Sequence, residues 1–171
     1  MKNLRHPFIK AVLAASFAVL AACSEGVAQH PIEPSDSATC ALDDMLLADF
    51  PGPKGEIVYD RGEPDFFCDT VEMFSLYLQP EQQRRVLGVY TQDMGRADWD
   101  RPRGHWIDAK SAYYVLGSRK TGSMGPTIAA FAREADARAF AQQNGGKVLR
   151  FDEVEPDMVA LDGGVVKDRK M

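Results

Sequence analysis

The sequence predicts an α+β protein built from two small ββαβ units, and three observations carry that prediction. Short apolar runs of strand length alternate with clusters of Gly, Pro and Asp. Each half contains one segment of helical period. The order strand, strand, helix, strand occurs twice along the chain, as a likeness of pattern rather than of sequence.

The chain opens on a segment that does not belong to the fold. Lys2, Arg5 and Lys10 precede an apolar run, Ala11 to Ala22, that is too short to span a bilayer as a helix. The run ends in Leu20-Ala21-Ala22-Cys23, a lipobox-type cleavage site. Residues 1–22 are therefore expected to be a lipoprotein signal peptide and Cys23 the lipidated residue, which anchors the chain to a membrane without spanning it. Ser24, where an Asp would retain a lipoprotein at the inner membrane, leans towards the outer one. Cleavage removes three positive charges and no negative ones, taking the formal charge from −5 to −8. Such a balance disfavours nucleic acid as a partner.

Residues 23–39 are polar and rich in Pro and Ser, and read as a flexible tether. His30 lies within it. The first unit, 40–93, begins with a compact turn at 40–45. The Phe50 to Gly55 stretch is dense in turn formers and leads into a strand at Glu56–Tyr59, a turn at Gly62-Glu63-Pro64 and a second strand at Asp65–Phe67. Asp69 and Glu72 then fit a capping box, as N-cap and N3 of a helix whose Val71, Phe74 and Leu78 share one face. Arg85 to Gln92 is the third strand.

Residues 94–111 show no period and read as a structured linker. The second unit, 112–158, repeats the order. It has a strand at Ala112–Leu116, a Gly-rich loop from Gly117 to Pro126, a strand at Thr127–Ala132, a helix at Glu134–Asn144 and a strand at Lys147–Phe151. The helix carries acids in its first turn and Gly145-Gly146 after its end, as the helix dipole and C-cap favour. Residues 159–171 read as a tail.

The candidate chemistry centres on Cys40-Ala41-Leu42-Asp43-Asp44-Met45, with its Cys-x-x-Asp-x-Met spacing. Thiolate and thioether are soft donors that select copper(I) over hard cations. A helix would separate Cys40 from Met45, whereas a tight knuckle can bring both to one ion. The competing reading is a buried Met and a Cys40–Cys68 disulfide, since two thiols in an oxidising compartment often pair. Cys68 precedes a helix N-terminus, which stabilises a thiolate, and it equally suits a small core site after Phe66-Phe67. Met94 and Met124 can each supply a further thioether, or pack. The second Cys pair of a structural zinc site is missing. Phosphate-binding and nucleophile-elbow motifs are absent, and only His30 and His105 lie beyond the signal segment. An enzyme is not expected.

Several stretches, in order, resemble the NosL family of nitrous-oxide-reductase accessory lipoproteins. They are the site at Cys23, Cys40-x-x-Asp43-x-Met45, Asp49-Phe50-Pro51-Gly52-Pro53-Lys54-Gly55 and Phe67-Cys68-Asp69-Thr70-Val71-Glu72-Met73. Gln92-Asp93-Met94-Gly95, Trp106-Ile107-Asp108-Ala109, Gly122-Ser123-Met124-Gly125-Pro126-Thr127 and Gly145-Gly146-Lys147-Val148-Leu149 continue the match. The resemblance implies a membrane-anchored copper(I) chaperone on the periplasmic face. It would supply copper for the tetranuclear copper–sulfide centre of nitrous oxide reductase. Apo nitrous oxide reductase and an ABC-type membrane complex with a periplasmic component are the implied partners. The implied fold is two ββαβ units similar to part of organomercurial lyase. Carried over residue by residue, the ligands would be Cys40 and Met45, with Asp43 as ligand or support; Met94, Met124 and Cys68 are further candidates. Two other readings stay open. One is a structural or binding lipoprotein with a Cys40–Cys68 disulfide, the other a lyase that cleaves metal–carbon bonds with two thiols and an acid.

Overall fold

A computed structural model describes residues 30–81 and 84–161. The signal segment, Cys23 and residues 162–171 lie outside the described residues.

The first sheet is antiparallel, with strand order β2-β1-β3-β4: β1 is Gly55–Tyr59, β2 Asp65–Phe67, β3 Val86–Gln92 and β4 Trp106–Asp108. Helix α1, Thr70–Tyr77, follows β2. Its start is fixed by the capping box expected from the sequence: Asp69 Oδ1 accepts from the Val71 and Glu72 N–H groups, and Glu72 reaches back to the Asp69 N–H. The helix lies directly on β1. A side-chain carbon added at Gly55 would fall 2.6 Å from the Cβ of Met73, so only glycine allows this approach. The second sheet has order β8-β5-β9, from β5 (Tyr113–Leu116), β8 (Ala129–Phe131) and β9 (Lys147–Arg150). Helix α2, Glu134–Asn144, connects β8 to β9.

Strand alternation divides the second sheet's residues between two cores. Tyr114, paired with Ala130 and Leu149, joins the larger core with Ile57, Phe67, Met73, Phe74 and Val89 of the first unit. Val115, paired with Ala129 and Val148, faces a smaller core with Phe131, Ala137 and the stacked pair Trp99–Phe140. Phe74 of α1 meets the Tyr114 ring edge to face at 5.0 Å, and Thr70 Oγ1 donates to the Ile128 carbonyl at 2.5 Å. The two units thus share one core.

Three stretches are more ordered by contact than their composition suggested. Trp106–Asp108 of the 94–111 stretch adds β4 to the first sheet. The Gly-rich loop folds as a small hairpin, β6 (Thr121–Gly122) against β7 (Gly125–Pro126). From Ile32 onward, the residues read as a tether lie along the first unit. The Ile32 N–H donates to the Glu56 carboxylate, Glu33 accepts from the Trp106 indole and the Gly104 N–H, and Asp36 pairs with Arg103. At the other end Val159 is buried and Leu161 packs on the larger core. Among the described residues no helix is long and apolar enough to cross a membrane.

Candidate metal centre

Residues 40–45 form a closed knuckle. The Cys40 N–H donates to the Met45 carbonyl at 2.8 Å, and the Asp44 N–H donates to the Cys40 carbonyl at 3.0 Å. Asp44 adopts φ 62°, the left-handed conformation that tightens the turn. Asp43 is exposed, and its Oδ1 accepts the Met45 N–H at 3.1 Å. This is an Asx turn that braces the knuckle. The Leu42 N–H points at the Cys40 sulfur at 3.5 Å.

The knuckle docks on β2 through the Ala41 N–H, which donates to the Phe66 carbonyl at 2.8 Å. That bond carries Cys40 to Cys68 across the chain. The sulfurs of Cys40 and Cys68 and a carboxylate oxygen of Glu72 all lie within 4.8 Å of one another, and all three residues are buried. Both cysteines are free thiols, so the disulfide of the alternative reading is not formed.

Glu72 is the hub. Its Oε2 accepts from the Cys40 thiol at 3.1 Å, from the Cys68 N–H at 2.9 Å and from the Asp69 N–H at 3.4 Å. Its Oε1 accepts from Ser123 Oγ of the β6–β7 hairpin at 2.8 Å. Burial, reinforced by the Asp69 carboxylate, pushes the Glu72 carboxyl up from its ordinary value. The Cys68 thiol is pushed well above its ordinary range, first by its hydrogen bond with Cys40 and then by burial. Lys54 sits beside the cluster, its Nζ donating to the Phe50 carbonyl at 2.7 Å and the Cys68 carbonyl at 2.9 Å. Desolvation pulls it down to about 8. A thiol must lose its proton to bind a soft ion as thiolate, so any such binding at Cys68 would work against this upward shift.

The other candidates are placed differently. The Met45 carbonyl faces the Cys68 thiol at 3.7 Å, and its half-buried side chain packs against the larger core. Met124, at the hairpin tip, lines a groove of about 550 Å³ together with Leu42 and Asp43 of the knuckle. Met94 packs instead against the smaller core with Val115 and Phe131. His30 and His105 are exposed and outside the thiol cluster. Sequence reasoning missed Glu72, Lys54 and Ser123 as members of the centre. The signal for Glu72 was present: a capping-box Glu at N3 turns back over the N-terminus, where Cys68 sits one residue before the cap.

A family model described as NosL matches residues 31–159. The chain is 47% identical over 127 residues to the copper-binding lipoprotein NosL of Stutzerimonas stutzeri, across 74% of this chain and 66% of that one. It therefore spans just under two thirds of that relative's length. With the copper-binding lipoprotein NosL of Achromobacter cycloclastes it shares 38% identity over 156 residues, 86% of this chain and 80% of that one. Among solved structures it is similar to the copper chaperone NosL from Shewanella denitrificans, at a TM-score of 0.70 and 41% identity, over 74% of this chain and 95% of the other.

Proposed function

The chain belongs to the NosL family, and on that premise we propose that it is a copper(I) chaperone, lipid-anchored through Cys23 on the periplasmic face of the outer membrane. Copper is its cargo. The observation that carries this reading is the pair of free, buried thiols at Cys40 and Cys68, held by elements distant in sequence. Two soft sulfurs without solvent exposure favour copper(I) over calcium or magnesium, which require several oxygen ligands. Cys40 is the principal ligand, and Met45 of the same knuckle supplies a thioether. Asp43 supports the ions' seat by holding the turn closed. Cys68, ranked lower on sequence, becomes a second thiolate ligand, because the fold sets it beside Cys40. Met124 stands at the groove as a further donor, while Met94 serves packing.

The recipient is apo nitrous oxide reductase, for assembly of its tetranuclear copper–sulfide centre, with an ABC-type membrane complex and its periplasmic component as the associated partner. Anchoring confines the donor near these partners and raises its effective concentration. The test is made in cells. A Cys40→Ser strain is expected to accumulate nitrous oxide reductase polypeptide that lacks the tetranuclear centre, read by copper content and optical spectrum of the purified enzyme. Fully loaded enzyme from that strain would sink the proposal.

A further inference from the structure

Cys40, Cys68 and Glu72 have no solvent exposure. A metal ion that comes and goes cannot reach them unless something moves. Three elements meet around these residues. The knuckle is closed by backbone bonds and tied to β2. Helix α1 is capped and packed on β1. The β6–β7 hairpin is different, because its two-residue strands pair only with each other. An isolated two-stranded hairpin is marginal by itself, so its seat depends on what holds it from outside.

Ser123, in the hairpin turn, makes most of the hydrogen bonds that tie the hairpin to the first unit. Its N–H and Oγ lie 3.2 and 3.0 Å from Asp69 Oδ2, and Oγ lies 2.8 Å from Glu72 Oε1. The Trp99 indole adds a longer bond to the Thr121 carbonyl at 3.3 Å. Gly122 makes the close seat possible: an added side-chain carbon would fall 2.5 Å from Asp69 Oδ2 and 2.9 Å from Thr127 Cβ.

We propose that the β6–β7 hairpin is a movable cover over the thiol pocket and that Ser123 is its latch. The proposal rests on the reading that Cys40 and Cys68 receive the metal. One carboxylate joins the two events, since Glu72 holds the Cys40 thiol with one oxygen and Ser123 with the other. Any ion that binds the Cys40 sulfur replaces its S–H and so disturbs the group that holds the latch. The groove beside the cover touches both the knuckle, at Leu42 and Asp43, and the hairpin tip, at Met124. Lifting the hairpin connects the thiols to that face.

Opening is measured without metal, by iodoacetamide labelling of Cys40 and Cys68 in the reduced full chain, with mass spectrometry to assign each site. Ser123→Ala removes the hydroxyl bonds and is expected to speed labelling about tenfold, the weight of one well-formed hydrogen bond. Gly122→Ala, which forces the hairpin off Asp69, should act in the same direction, and Ser123→Thr should restore near-wild-type rates. Val148→Ala, in the smaller core, lowers global stability without touching the latch and should leave labelling in water unchanged. A second arm follows transfer of bound copper(I) to a chromophoric chelator, which Ser123→Ala should accelerate. Faster labelling of Ser123→Ala and Gly122→Ala supports the cover even if no variant binds copper, and in that event the chaperone reading alone falls. Cys40-dependent copper binding with equal labelling and transfer across these variants overturns the cover and leaves the chaperone reading standing. Labelling rates that simply follow global stability, Val148→Ala included, also overturn it.

Discussion

Replacing Glu72 tests whether this carboxylate is the hub of the centre. In Glu72→Leu the Cys68 N–H, bonded at 2.9 Å, loses its acceptor inside the protein, and the longer Asp69 N–H bond goes with it. Ser123 keeps Asp69 as a partner and adds little to the cost. One buried N–H left unpaired costs about 1–3 kcal/mol, and loss of half a capping box adds about 1 kcal/mol. The expected destabilisation is therefore about 2–4 kcal/mol. Glu72→Gln keeps an acceptor oxygen at nearly the same place and should cost about 1 kcal/mol or less. Urea unfolding of the metal-free, reduced proteins measures both, and at roughly 3 °C per kcal/mol the Leu variant should melt some 6–12 °C lower. A Leu variant within 0.5 kcal/mol of wild type would refute the claim that Glu72 satisfies these buried donors.

Two further predictions use other parts of the chain. Glu56 is buried and pushed from 4.5 up to about 7, with the Ile32 N–H pulling the other way. Between those values the folded state binds more protons than the unfolded one, so this group's contribution to stability falls as pH rises through that window and levels off above it. Glu56→Gln should flatten that part of the profile, and parallel wild-type and Gln curves in urea midpoints from pH 5 to 7.5 would contradict the assignment. Cys23→Ser should leave the precursor uncleaved or release the protein from the membrane fraction. Normal processing and fractionation of that variant would reject lipidation at Cys23.

How much of this was legible in the sequence depends on whether the information was local. The capping box, the strand at Asp65–Phe67 and the helix at Glu134–Asn144 could be read directly, because each is specified by residues within a few positions of one another. The Cys40 knuckle and its Asx turn could be read for the same reason. The β4 strand could not, because three residues are too few to show a period and its pairing with β3 is a tertiary matter. The hairpin was hidden by its Gly and Ser content, which marks any turn. Cys68 was underrated because its nearness to Cys40 rests on contacts between residues far apart in sequence, among them Ala41 to Phe66 and the Cys40 thiol to Glu72. Ser123 was invisible for a similar reason: it reaches Glu72 only because the second unit packs on α1.

The most direct measurement is an anaerobic competition titration of copper(I) against a calibrated chelator at several pH values. Wild type is compared with Cys40→Ser, Cys68→Ala and Met45→Leu. An ordinary thiol has a pKa of about 8.5 and must lose its proton to bind a metal as thiolate. With Cys40 and Cys68 both bound, each unit of pH lowered should weaken the apparent affinity about a hundredfold, and Cys68→Ala should reduce that to about tenfold. Met45→Leu should weaken binding and leave the slope alone, because a thioether carries no proton. Cys40→Ser should lose most of the affinity and likewise reduce the slope to about tenfold, the remaining thiolate being Cys68. A Cys40→Ser protein matching wild type in both affinity and slope would contradict the account at its centre.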